Sequence, residues 1–505
     1  MNKDVVLLFS PKPSPGDHVH ARVPYALLYL ERMLRDVGVE PILVDEQIQP
    51  DYSMVLAEKR ERLLLAGVSS MTGHQIHGGI AFSKRVREMC GAPIVWGGWH
   101  PSLLPEQTLR EAYVDFVVVG QGERPLRQLV DGIRNGKDTS DIRGLGFKRG
   151  NAITVNPAAP LEPTDSLAPI NLGLLDLEKY IYRNGFAERC LGYFASHGCP
   201  FNCAYCCVAA IYRNRWYRKP ISQIIEDLRY LKEQASIDSI SFDDDNFFVG
   251  ANFARQLAQS MIEAKLDLRW ETSAQAGSFV KAYNDEDLRL FVKAGCRQIY
   301  IGAESGDQET LNILGKGTKV EENLRFVEML KRHSIIPQMS TMVCIPDEPT
   351  RGLDLTIDMI RRAKLLDRRL RASVFLYTPY PGTKLYERAK GMGFSPPQHL
   401  EDWASHTLRK FESPWASEGV KRRLEYFVNF FLPMVDPQFY RVAPSTGIRT
   451  VLFLVNKLFF PLAWLRFAAN CFRCPAEAIV FLRLLRFYNK LTGANFSLGH
   501  ESYLK

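Results

Sequence analysis

Ser196-His-Gly-Cys-Pro-Phe-Asn-Cys-Ala-Tyr-Cys-Cys207 places Cys199, Cys203 and Cys206 in a C-x3-C-x2-C array, just after a short β-like run, Leu191 to Ala195. Three soft thiolates in one loop suit an iron–sulfur cluster, and a cubane of the 4Fe-4S type ordinarily takes four. Three protein ligands leave one iron open to something else, which points to an enzyme. Closely spaced cysteines also build zinc knuckles and purely structural clusters, so the loop has to be read with its surroundings. Cys207 directly follows a ligand position, points elsewhere, and reads as a buried thiol.

Downstream of the loop, strand-like runs recur at regular intervals: Leu191–Ala195, Ser239–Phe242, Leu268–Thr272, Gln298–Gly302, Gln338–Ile345 and Ala372–Tyr377. Amphipathic stretches such as Ile221–Ala235 and Val320–His333 lie between them. Six βα units predict a partial (β/α)6 parallel barrel over residues 186–400, with its chemistry at the carboxyl ends of the strands. The cysteine loop follows the first of these strands. Asp243-Asp-Asp-Asn-Phe247 follows the second, and three acids against a buried strand repel one another without a cation, so the patch reads as a ligand site suited to an ammonium group. Ser273 and Gln275 sit near the third end, Gly302-Ala-Glu-Ser-Gly306 at the fourth, Cys344-Ile-Pro-Asp-Glu348 at the fifth and Pro379-Tyr-Pro-Gly-Thr383 at the sixth.

Upstream, Val5–Phe9, Pro41–Val44, Leu63–Val68, Ile94–Trp96 and Phe116–Val119 read as buried parallel strands, each followed by a loop or helix-length segment. A doubly wound α/β sheet over residues 1–135 follows, with a ligand crevice at the strand carboxyl ends. The loops there are Pro11–Gly16, Ser69–His74, Gly97-Gly-Trp-His-Pro-Ser102 and Gly120-Gln-Gly-Glu123, and their small residues let backbone approach a large flat ligand. His74, His77 and His100 read as polar lining of that crevice. Residues 136–185, rich in proline and aspartate, are expected to be a linker, and 401–505 a helical, basic and hydrophobic C-terminal region.

With Tyr205 in the aromatic place of C-x3-C-x-aromatic-C, the cysteine loop resembles the radical S-adenosylmethionine (SAM) superfamily. In that family the open iron binds the amino and carboxylate groups of SAM, and an electron from the cluster breaks a carbon–sulfur bond to give methionine and a 5′-deoxyadenosyl radical. The resemblance implies cluster ligation by Cys199, Cys203 and Cys206, and SAM contacts from Tyr205, Asp243, Asp244, Ser273, Glu304 (to ribose) and Ile345 (backbone, to adenine). Which of Asp243, Asp244 and Asp245 touches SAM stays open. Cys344 and Asp347 depart from the family's G-x-P-G-E-T form. The first domain resembles the cobalamin-binding domain fused to many radical SAM enzymes, in which GG-x-H-P and G-x-G-E follow successive strands. That implies cobalamin contacts from Ser69, Thr72, Gly97, Gly98, His100, Gly120, Gly122 and Glu123. The D-x-H-x-x-G motif is absent, since Asp17-His-Val-His20 has the wrong spacing. The implication is cobalamin held without a histidine from that motif, or a domain that kept the fold and lost the cofactor. Cys90 alone precedes the linker, which excludes a second cluster there and argues against the methylthiotransferase branch.

The implied activity is methylation of an unactivated carbon, with anaerobic cyclisation or carbon–carbon coupling as alternatives and a non-catalytic sensor or electron carrier behind them. A small-molecule or lipid-like substrate and a one-electron donor such as flavodoxin or ferredoxin are the expected partners. Cysteines that are scattered apart from the central cluster, and no signal-peptide pattern at the start, suit a reducing cytoplasm. Of the net charge of +8, nine basic against two acidic residues from Arg441 onward supply +7. Val451–Pro461 is apolar but short and interrupted, which reads against a transmembrane helix. Ala478–Phe487 carries Arg483 and Arg486 among apolar neighbours, as a basic interfacial helix would; a helical cap with snorkelling arginines fits equally. Peripheral membrane contact is therefore expected ahead of nucleic acid, for which no stacking motif is present. Cys471-Phe-Arg-Cys474 is read as structural.

Overall fold

Val5–Ser10 (β1) is apolar on both faces, as a parallel strand covered by helices on each side must be. In the computed structural model, which describes residues 3–13, 20–349, 351–408, 411–436, 446–472 and 475–492, it is an inner strand of the first sheet, next to one edge. Glu40–Asp45 (β2), Leu63–Ser69 (β3), Ile94–Gly97 (β4) and Phe116–Val118 (β5) join it in the order β2-β1-β3-β4-β5, all parallel. The chain reverses direction of travel between β1 and β3, so a crevice opens there at the carboxyl ends.

The sheet does not stop at residue 135. Leu145–Arg149 (β6) and Ala152–Val155 (β7), placed in the linker by the sequence reading, pair antiparallel onto β5 and extend the sheet to seven strands. Gly150-Asn151 closes this hairpin with Gly150 at φ +61°, and the buried Leu145 and Phe147 cover the edge that β5 leaves open. The rest of 136–185 carries short 3-10 turns between the two sheets.

The second sheet is built from Cys190–Tyr193 (β8), Ser239–Phe242 (β11), Arg269–Ala274 (β12), Cys296–Glu304 (β13), Ile336–Val343 (β14) and Arg371–Leu376 (β15). Its order, β15-β14-β13-β12-β11-β8, is that of six consecutive parallel βα units, the expected partial barrel. Ser196–Gly198 (β9) and Trp216–Arg218 (β10) form a small antiparallel ribbon around the cysteine loop.

Both domains share one apolar cluster, in which Phe9, Ile76, Phe82 and Trp96 meet Ala204, Leu314, Ile345 and Tyr377. Polar ties cross the same seam: Tyr25 Oη donates to the Gly192 carbonyl (2.9 Å), and Tyr180 Oη to Asp45 Oδ2 (3.0 Å). The C-terminal region is helical, as expected, and its first residues, just past 400, strap the domains together. Trp403 is fully buried, and its Nε1 donates to Gln107 Oε1 at 2.7 Å. Helices at Glu418–Tyr426, Thr446–Ala468 and Ala476–Thr492 follow. The helix at Thr446–Ala468 runs straight through Pro461, so the interruption expected there is absent. Proline forfeits one backbone hydrogen bond, while Leu452, Asn456, Ala463 and Phe467 hold the helix down on both sides of it.

His100 belongs to this seam. It is fully buried, its ring faces Trp403 at 5.6 Å, and Nδ1 lies 3.0 Å from Thr72 Oγ1. Burial, with a smaller push from His406, lowers its pKa to about 3. The unfolded chain takes up this proton near pH 6.5 and the folded chain does not, so stability is lost as pH falls from about 6.5 toward 3. Going from pH 7 to 5 should cost about 2 kcal/mol through His100 alone. Urea midpoints at both pH values should show that loss reduced in His100→Gln; an equal loss in the variant would remove His100 from the account.

Candidate active site

The cysteine loop leaves β8 and is pinned before it reaches its first thiol. Asp244, at the end of β11, accepts from the Ala195 amide (2.9 Å) and from Ser196 Oγ (2.5 Å), and Asp245 accepts from the Gly198 amide (2.8 Å). Farther on, the Ala204 amide donates to the Leu314 carbonyl (2.8 Å) and the Leu385 amide to the Ala204 carbonyl (3.0 Å). Cys199, Cys203 and Cys206 are all free and half-buried, and Asn246 Nδ2 approaches Cys199 Sγ at 3.8 Å. Burial raises all three thiol pKa values, that of Cys206 to about 11, while Lys316 opposes the rise at Cys203 and Cys206. Among the described residues no three His, Cys, Asp or Glu side chains converge on a single-ion site. A cubane does not require that, because each thiolate takes a different iron. The donor set therefore fits a cluster rather than one metal ion.

Around the loop the acids behave differently from one another. Asp243 pairs with Arg22 Nη1 at 2.6 Å and accepts from Ser241 Oγ at 2.8 Å, so the cation that the acidic patch demands comes from the first domain. Asp244 is buried, which lifts its pKa to about 7 despite its two donors. Its contacts make it a staple for the cysteine loop. Ser273 Oγ donates to the Asp244 carbonyl (2.8 Å), bracing the same turn.

Glu304 ends β13 at φ +60°, and its Oε1 accepts from Tyr205 Oη (2.7 Å) and Lys316 Nζ (2.9 Å). Lys316 Nζ also donates to Tyr205 Oη at 3.0 Å. A Cβ at Gly302 would collide with Glu304 Oε1, which explains the glycine. Ile345 lies where expected, with its backbone already engaged by Glu348: its amide donates to Glu348 Oε2 (3.2 Å) and its carbonyl accepts from the Glu348 amide (3.0 Å). Its side chain joins the apolar cluster beside Ala204. The sequence reading missed Lys316 and Arg22. Only the glycines bracketing Lys316, at φ +62° and +64°, hinted at a specially shaped loop.

At the carboxyl ends of β1, β3, β4 and β5 a cavity of about 200 Å³ opens toward the barrel. Ser69, Gly97, Gly98, Gly120, Gly122 and Glu123 line it, as expected; Thr72 and His100 do not, being paired with each other in the seam. Gly98 stands at φ +95° and a Cβ there would meet the Ser70 carbonyl at 2.7 Å, whereas a Cβ at Gly97 would make only ordinary contact with Val118 at 3.9 Å and Gly120 has open space beyond it. Glu123 accepts from Arg32 Nη2 at 3.0 Å, both side chains being buried, and Arg32 Nε has no partner among the described residues. His197, Ile211 and Tyr212, from either side of the cysteine array, close the far wall. The glycine cradle fits the flat macrocycle of cobalamin. Gly97→Leu, pushed into this cavity, should lower retained cobalamin by roughly tenfold or more with iron content unchanged; full retention after gel filtration would place cobalamin elsewhere.

Residues 193–360 match the family model of the radical SAM superfamily, and residues 22–130 that of the B12 binding domain. A relative, "Uncharacterized methyltransferase PH0819" of Pyrococcus horikoshii, is 28% identical over 373 residues, 72% of this chain and 78% of that protein. The anaerobic magnesium-protoporphyrin IX monomethyl ester cyclase of Rubrivivax gelatinosus is 26% identical over 299 residues, 58% of this chain and 52% of that one. Among solved structures, the cobalamin-dependent SAM radical enzyme OxsB with aqua-cobalamin and SAM bound superposes with a TM-score of 0.72 at 15% identity, covering 97% of this chain and 75% of its own.

Proposed function

Because the chain belongs to the radical SAM enzymes that carry a B12-binding domain, we propose that it methylates an unactivated carbon of a small-molecule substrate, using a 4Fe-4S cluster, SAM and cobalamin. One observation carries this reading: His197 and Tyr212, which flank the cluster cysteines, also wall the glycine-lined cavity, so the two cofactor sites share one partition. When bound, the cluster with SAM supplies a carbon-centred radical and cobalamin supplies the methyl group. The chain's own residues position these groups. Cys199, Cys203 and Cys206 hold the iron, the Tyr205–Glu304–Lys316 triad faces the SAM ribose, and Asp244 fixes the loop that carries the thiols. Arg22 links the first domain to the SAM end of the barrel through Asp243.

A one-electron donor of the flavodoxin or ferredoxin class and a cytoplasmic setting belong to this reading, as does a hydrophobic or lipid-like substrate. Similarity to an anaerobic cyclase favours ring formation as the second reading. The test is anaerobic reconstitution with iron and sulfide, then assay with SAM, reductant and hydroxocobalamin against candidate substrates. A product heavier by one CH2, with a second SAM consumed as donor, supports methylation. Deoxyadenosine formed without methyl transfer supports cyclisation or coupling instead.

A further inference from the structure

The helices at Thr446–Ala468 and Ala476–Thr492 each have a sealed inner face and a bare outer one. Phe459 and Phe481 both pack on Phe430, at 5.6 and 5.5 Å, and lie 6.0 Å apart, so the inner faces of the two helices meet over the same residue of the body. On the first, Val451, Leu454, Leu458, Leu462 and Leu465 follow helical spacing and are 45–73% exposed. On the second, Val480, Leu484 and Phe487 are 53–61% exposed. Scattered exposed apolar residues are ordinary; two stripes at helical spacing, on helices that meet at one point of the body, are a surface that expects cover.

We propose that this paired-helix face docks the protein onto an anionic lipid bilayer, lying in the interface rather than crossing it. Residues Thr450–Ala468 are long and apolar enough to span a membrane. The helix is nevertheless tied to the body along its inner side: Asn456 Nδ2 donates to the Met434 carbonyl (2.9 Å), Phe467 is buried, and Arg361 Nη1 donates to the Ala468 carbonyl (3.1 Å). Lipid cannot surround it without pulling these contacts apart. A half-sealed helix with an apolar outer stripe and basic flanks is the interfacial arrangement.

Charge selects the occupant. The exposed charged side chains beside the stripes include Lys457, Arg483 and Lys490, whereas Glu477 is paired with Arg466 at 2.6 Å. A second copy of this face would set basic groups against basic groups; anionic headgroups complement them.

Full-length protein should float with phosphatidylcholine vesicles containing phosphatidylglycerol, float poorly with phosphatidylcholine alone, and lose binding as salt is added. Leu458→Glu, at the most exposed point of the stripe, should weaken partitioning roughly tenfold or more, and Arg483→Glu about fivefold or more. Both sites are on the surface, so melting temperature and cobalamin uptake should match wild type. Absence of flotation at low salt would overturn the proposal. So would a vesicle-independent dimer that Leu458→Glu dissociates, which would assign the face to a second copy. The vesicle assay reads no turnover and stands apart from the methylation reading.

Discussion

Replacing Cys203 by alanine is expected to abolish deoxyadenosine formation from SAM and reductant, and to strip the reconstituted protein of most of its iron and sulfide. Cys203 is the middle thiol of a loop fixed at both ends, by Asp244 and Asp245 before the array and by the Leu314 and Leu385 backbone contacts within it. Such a loop cannot slide Cys207 into the vacated place. Cys207 sits at the start of a separate helix, and its Sγ faces the Pro381 carbonyl at 3.9 Å, away from the array. Cys207→Ala should therefore keep its cluster and its activity. Cobalamin uptake should survive in both variants, because the glycine cradle belongs to the other domain. Iron, labile sulfide and deoxyadenosine, measured on the three proteins side by side, decide the matter. A fully loaded, active Cys203→Ala protein would take the cluster out of this loop.

The architecture was legible because periodicity and loop chemistry agreed. Each of the eleven parallel strands expected from apolar runs is present, and the cysteine array stands at the first barrel strand where a βα barrel keeps its chemistry. The Gly150-Asn151 hairpin was missed although the signal was there: two short strand-like runs around a two-residue turn, hidden by the surrounding proline and aspartate. The acidic triplet was identified as a site but not resolved into roles. Chain distance hides partners: Asp243 meets Arg22 across 221 residues, and Asp244 turns back to Ala195 and Ser196. His100 sat in the right motif yet faces the seam, because Trp403, far downstream, fills the space beside it. None of these pairings has a periodic signature; each is set by which surfaces the fold brings together.

Lys316 is the clearest case, and it carries the second large expected effect. Glu304→Gln should destabilise the protein by about 3–5 kcal/mol, the cost of leaving one member of a buried ion pair uncompensated. Both residues are nearly inaccessible, and Lys316 Nζ has Glu304 Oε1 and Tyr205 Oη as its hydrogen-bond partners. Burial works against the lysine's charge, but Glu304, aided by Cys203 and Cys206, outweighs it and holds Lys316 protonated. With Glu304 neutralised, that ammonium keeps its desolvation penalty and loses its strongest partner. Lys316→Met should cost a similar amount by stranding the carboxylate instead. The double variant Glu304→Gln/Lys316→Met removes both charges and should recover most of the loss, since an apolar replacement for a buried pair is often neutral. Urea midpoints of the four proteins measure the coupling, and a double variant whose loss equals the sum of the two single losses would show the pair to be independent. Deoxyadenosine formation separates fold from site. Restored stability without restored SAM cleavage places the triad against SAM, whereas restored cleavage would leave Glu304 and Lys316 with a purely structural part.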